Sequence, residues 1–155
     1  MELKELNKVL RNKAIKSGLC FDWQQNVWKE DLDYAGLLAI YKRGLDFSVK
    51  NHWLDYDFIK EVFPAEELHK ACVYIYEDVD LDGLSGEYVF VGCTGKVRFG
   101  DFCASTIYLF EDTHLDVSAN DFAKLFVQMY DDSSCDVQRN DDAVYRLYDR
   151  RKKEG

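Results

Sequence analysis

Apolar residues change their period near the middle of the chain. Over residues 1–72 they recur at helical spacing, and beyond that they alternate with polar residues as strands do. Leu3, Leu6, Leu10 and Ala14 share one helical face, with Gly18 as a stop. A short helix is predicted from Asp22 as cap through Trp23 to Trp28. Asp33 caps the next, through Leu37, Leu38, Ile40 and Tyr41 to Gly44. Asp46 opens a further turn or two through Phe47 and Val49 to Trp53. Asp57 precedes Phe58, Ile59, Val62 and Phe63, and Pro64 both ends that helix and starts AEELHKA. The expectation for residues 1–72 is a cluster of short, capped helices.

Residues 73–150 read as β. Within them VGCTGKVRFGDFCASTIYLF, EDTHLDVSANDFAKLFVQMY and DDSSCDVQRNDDAVYRLYDR align as three blocks of twenty without gaps. Val97, Val117 and Val137 coincide, as do Asp101, Asp121 and Asp141, and Ile107, Val127 and Leu147. Agreement at a fixed period marks a repeat architecture. Gly100, Asn120 and Asn140 share a position and a tolerance for left-handed turns. Each block holds two strands. Alternation points Leu115, Val117, Ala119, Cys135 and Val137 inward on the first strand. On the second it points Ser105, Ile107, Leu109, Ala123, Leu125, Val127, Met129, Ala143, Tyr145 and Leu147 inward. The predicted class is α+β: helices followed by a short three-coil β-solenoid. An antiparallel meander is the alternative, disfavoured because the later turns lack the glycine that tight hairpins want.

The outward positions differ between the two sheets. Lys96, Arg98, Asp116, Ser118, Asp136 and Gln138 make a polar face. Thr106, Tyr108, Phe110, Phe126, Gln128, Tyr130, Arg146 and Tyr148 make an aromatic field of a kind rarely left bare. Either the N-terminal helices pack over it, or a protein partner or second copy docks there. Tyr108, Phe110, Phe126, Tyr130 and Tyr148 are the candidate interaction residues.

Charge narrows the partners. Of the net −9, residues 71–155 carry −8, from seventeen acids and nine bases. An acidic surface repels phosphate backbones, which argues against nucleic acid. The N-terminus, MELKELNKVLRNKAIK, is too charged for a signal peptide, and no apolar run reaches membrane length. Five cysteines form no CxxC pair and no zinc spacing, so free thiols and a cytoplasmic setting are expected, or delivery in a particle made there. Residues 151–155 are a charged tail.

Asp78, Asp80 and Asp82 alternate ahead of Gly83, as at the opening of a calcium loop. The closing carboxylate is missing: position twelve is Val89, and Glu87 sits two places early. An acidic loop between the strands VYIYE and EYVFVG is the plainer expectation, with Ca2+ as the only candidate cofactor. Asp116 with Asp136, and Asp121 with Asp141, should stack on adjacent coils. Such ladders would suit a carbohydrate-active hydrolase or lyase, although turn geometry alone selects Asp121 and Asp141. His52, His69 and His114 lie beside no matched carboxylate or cysteine pattern, and no nucleophile–base pair recurs at fixed spacing. No catalytic residue is assigned.

The phrases NDFAKLFVQMYDD and NDDAVYRLYDR resemble the short-period "Asp-Asn/Ala-x-Val" β repeats of uncharacterised bacterial and phage-associated proteins. The resemblance covers the last third of the chain, and its extension would be the helical part from GLCFDWQQNVW onward. It implies a solenoid and a phage or mobile-element setting. It brings no activity and no functional residue with it. The expected role is therefore non-enzymatic: an interaction or structural protein acting through its surface.

Overall fold

The computed structural model describes residues 1–51 and 53–151, so His52 and residues 152–155 of the expected tail lie outside the described residues. The chain divides into two compact units, one of Met1–Ala71 and one beginning at Cys72.

The first unit is helical. Helix α1 spans Leu3–Lys16, α2 Tyr34–Arg43, α3 Leu45–Asn51, α4 Tyr56–Val62 and α5 Ala65–Lys70. Asp33 caps α2 as its position predicts, accepting from Gly36 N–H at 2.7 Å. Two expectations need correcting. Helix α4 is capped by Asp55, which accepts from Asp57 N–H at 2.9 Å, so Asp57 lies inside the first turn. Asp22 is itself helical and leads into a π-helical turn, Trp23–Val27, closed by Trp28 N–H on Trp23 O at 2.9 Å. The amphipathic faces bury Leu6, Leu10, Ala14, Leu37, Leu38 and Ile59. Asn7 is buried among them and fully used. Its amide donates to Lys29 O and Glu30 O, and its Oδ1 accepts from Trp28 Nε1 at 2.6 Å.

The second unit is a β-solenoid, with nine strands among the described residues: β1 Val73–Ile75, β2 Asp78–Gly83, β3 Gly86–Val91, β4 Thr94–Phe99, β5 Ala104–Phe110, β6 His114–Ala119, β7 Lys124–Met129, β8 Ser134–Arg139 and β9 Val144–Asp149. They form two parallel sheets, β1-β3-β5-β7-β9 and β2-β4-β6-β8. Parallel pairing throughout excludes the meander. The fold has about four coils, one more than the repeat shows. From β4 onward the β4–β6, β5–β7, β6–β8 and β7–β9 pairs match residues twenty apart. The first coil is shorter, with Asp78 opposite Thr94 and Gly86 opposite Ser105. That change of length hides it from a fixed-period alignment.

The sheets enclose one apolar column per inward-facing strand position. Phe90, Phe99, Ile107, Leu109, Leu125 and Val127 are essentially inaccessible. Every inward assignment on β6 and β7 is buried, including Ala119, Leu125, Val127 and Met129. Tyr145 and Leu147 occupy inward positions too, yet are 38% and 44% exposed. They lie on the last coil, where no described strand pairs beyond β9.

The corners correct one detail. The left-handed residues are Asp101, Asp121 and Asp141, with φ of 51°, 55° and 56°, and not Gly100, Asn120 and Asn140 before them. At the opposite corner Glu111 and Asp131 adopt the same conformation. Their carboxylates staple the coils. Asp121 Oδ2 accepts from Asp101 N–H, Asp141 Oδ2 from Asp121 N–H and Asp131 Oδ2 from Glu111 N–H, at 2.8 to 3.1 Å. The asparagines stack instead, Asn140 Nδ2 donating to Asn120 Oδ1 at 2.8 Å.

All five cysteines are free thiols. Burial, reinforced by Asp136 and Asp116, pushes the Cys135 thiol up to about 12, and burial also raises that of Cys93. The exposed Cys20 is expected to be the first to react with dithio-bis-nitrobenzoate. Cys135 should lag by about a hundredfold or more, and Cys93 should lag too, because both are shielded and the thiolate is the nucleophile. The same shifts make alkali destabilising. Above about pH 8.5 the unfolded thiols lose protons that the folded ones keep, so stability falls as pH rises toward 12. Equal reactivity of Cys20 and Cys135 would contradict this placement.

Candidate interaction surface

Strand alternation sends the even-numbered residues of β5, β7 and β9 outward, and the five candidate aromatics separate there. Phe110 is buried at 2% exposure and stacks on Tyr130, with centroids 4.8 Å apart, so it offers nothing to a partner. Tyr108 and Tyr130 are half-buried. Toward the last coil the face opens: Phe126 is 40% exposed, with Tyr148 beside it at 6.4 Å. The field predicted as one surface is thus closed at Phe110 and open at Phe126.

The corner before β5 and β7 carries the larger apolar exposure. Phe102 and Phe122 follow the left-handed Asp101 and Asp121, and that turn throws their side chains away from the core. One coil apart, the rings stack almost parallel at 5.0 Å and 3°. They remain 78% and 51% exposed. On the sheet itself Val144, 49% exposed, and Phe126 line a groove of about 450 Å³ together with Lys124 and Arg146. Asp101, Asp121, Asp141 and Asp142 give this edge its negative charge. The twenty-residue alignment pairs Phe102 with Phe122, but a position directly after a turn aspartate reads as solvated loop. The hydrophobicity of both residues was the available signal.

The calcium candidates do not form a loop. Residues 78–83 are strand β2, with Asp78, Asp80 and Asp82 spread along its outward face and Glu87 on β3 in the other sheet. Arg98 on the neighbouring β4 binds two of them at 2.7 Å, Nη2 to Asp80 and Nε to Asp82, while Thr94 Oγ1 donates to Asp78 at 3.2 Å. These oxygens answer a cation already present in the protein. Among the described residues no group of three or more acidic, histidine or cysteine side chains is placed to hold a metal ion.

The acidic ladders are real as geometry. Asp116 pairs in register with Asp136 on the open outer face of β6 and β8, where both are exposed in a shallow groove beside Lys96 and Arg98. Asp121 and Asp141 are occupied as coil staples. Stacking also brings together a pair the linear sequence conceals: His114 Nδ1 lies 2.5 Å from Ser134 Oγ. Asp78, in the same column, accepts from Thr94 Oγ1. No described helix is long and apolar enough to cross a membrane.

No family model matches the chain, and neither do any curated protein or solved structure.

Proposed function

We propose that the chain is a non-enzymatic interaction protein whose solenoid docks a protein partner through the Phe102–Phe122 corner and the adjoining Phe126 and Val144. The stacked phenylalanines carry the reading. Burying an aromatic side chain gains about 1.5–3 kcal/mol, and this pair leaves that gain unused on an exposed edge. The acidic edge selects a partner with apolar residues in a basic surround. It opposes both nucleic acid and a second, equally acidic copy. The phage or mobile-element setting rests on the repeat resemblance alone.

The test is Phe102→Ser combined with Phe122→Ser. Both side chains point to solvent, so stability should stay within about 1 kcal/mol of the parent. A basic partner retained by the parent at low salt should be lost by the variant and weakened by added salt. Self-association in sedimentation, abolished by the variant, would replace the foreign partner with a second copy. Retention of the partner by the folded variant would defeat the proposal.

A further inference from the structure

The last coil of the solenoid is a separate feature that the docking corner leaves unexplained. Strands β8 and β9 end the order of their sheets, and no described strand pairs beyond them. Val144 N–H and Arg150 N–H donate back to Ala123 O and Met129 O on the preceding coil. Strand alternation then turns the N–H and C=O of Tyr145 and Leu147 toward the outer edge. The side chains of these two residues continue the inward column, yet are 38% and 44% exposed. On β8, Cys135 and Val137 are half-buried where Leu115 and Val117, one coil earlier, are fully buried. An edge that presents backbone groups and an uncovered apolar column is a template for a further strand.

Charge along the last strand selects what that further strand is. Asp141 and Asp142 precede β9, and Arg150 and Arg151 follow it, so its start is acidic and its end basic. A strand of that polarity complements itself when two copies run antiparallel, and repels itself when they run parallel. The acidity that keeps copies apart at the docking corner does not reach this far. Residues 144–151 hold Arg146, Arg150 and Arg151 against Asp149 alone.

We infer that the chain forms an end-to-end dimer, in which β9 pairs antiparallel with β9 of a second copy about a twofold axis. One register satisfies alternation and charge together. It places Leu147 opposite Leu147 of the second copy, on the axis, and Tyr145 opposite Asp149. These edge-facing residues exchange the backbone hydrogen bonds, and both leucines stay in the inward column. On the outer face Arg146 meets Tyr148 of the second copy, and Asp142 comes diagonally within reach of its Arg150. Registers centred one residue to either side oppose Arg146 to Arg146 or to Arg150. Strands of six residues in two sheets about 10 Å apart give ends of about 20 by 20 Å. Two such ends bury on the order of 800 Å², which suits a weak dimer with Kd on the order of 100 µM. At about 5 µM the chain is then a monomer.

Sedimentation equilibrium of the full-length protein, from about 5 to 500 µM in about 0.15 M salt to screen the net charge, tests the inference. A reversible monomer–dimer equilibrium with no larger species is expected, because a twofold contact closes on itself. Leu147→Asp sets two carboxylates against each other on the axis, and should leave only monomer up to about 500 µM. Asp142→Arg and Arg150→Asp should each weaken the dimer about tenfold, since each then opposes like charges at two places. Mixed in equal amounts, these two variants regain opposite charges at both places, and the mixed dimer should return to within about threefold of the parental affinity. Monomer alone at about 500 µM would overturn the inference. So would a dimer that folded Leu147→Asp leaves intact, or a mixture no tighter than either charge variant. Should Leu147→Asp fail to fold, the two surface charge variants decide. Phe102→Ser with Phe122→Ser should leave this dimer unchanged. Its loss in that variant would move self-association to the docking corner and overturn the end-to-end contact.

Discussion

Val127→Asp is expected to abolish the cooperative unfolding transition of the solenoid. Val127 is inaccessible to solvent, in register with Ile107 on one side and Leu147 on the other, inside the column that β5, β7 and β9 share. A carboxylate there would meet only apolar neighbours. Burying it charged, or shifting its pKa so that it enters neutral, costs several kcal/mol in either case. That approaches the whole stability of a small domain, about 5–15 kcal/mol. Leu147→Asp provides the control, one coil along the same column. Leu147 is 44% exposed, so its new charge keeps much of its water, and the loss should stay near 1 kcal/mol. Circular dichroism melts of the two variants should therefore differ widely, although the substitutions occupy equivalent repeat positions. Similar melting would mean that the last coil is covered, or that the column has been assigned to the wrong face.

Those equivalent positions show what made the β half legible. Strand period and repeat length are each carried by many residues, so Val97, Val117 and Val137 report the same inward column independently. The corners were harder to read. Their left-handed residues are aspartates and a glutamate, and the neighbouring Gly100, Asn120 and Asn140 are the more familiar choice for that conformation. The twenty-residue alignment also hides a half-period of ten. Cys103, Thr113, Ala123, Ser133 and Ala143 all stand two places after a left-handed residue, at alternate corners, and all five are small side chains. That pattern alternates between the two corners and is invisible when only whole coils are compared. Asp78, Asp80 and Asp82 misled for a different reason. Alternate acids before a glycine suit a calcium loop and an outward strand face equally well, and only the position of Arg98, sixteen residues on, separates the two. The candidate surface was half legible. Phe126 and Tyr148 follow from alternation, whereas burial of Phe110 depends on tertiary packing that no local pattern encodes.

Gly95→Ala should be the most damaging single-methyl change in the protein. Gly95 lies in β4 with a φ of +131°, a conformation L side chains rarely adopt. It is in register with Val79 on the short first coil and Leu115 on the next. A β-carbon built at Gly95 would fall 1.9 Å from the carbonyl oxygen of Val79. That atom is backbone, held in the β2–β4 pairing, so no rotamer change relieves the overlap, and the first coil would have to separate from the second. Gly86 isolates the two contributions. Its φ of +144° carries a similar conformational penalty, but a β-carbon there meets nothing within 4 Å. Gly86→Ala should cost about 1–3 kcal/mol from backbone strain alone. Gly95→Ala should cost that amount and a steric term besides, reaching about 4 kcal/mol or more, in the range tied to identifiable disruptions. Urea unfolding of the parent and both variants measures the difference directly. Equal losses would show that strain alone matters, and that β2 and β4 stand further apart at Val79 than this register requires.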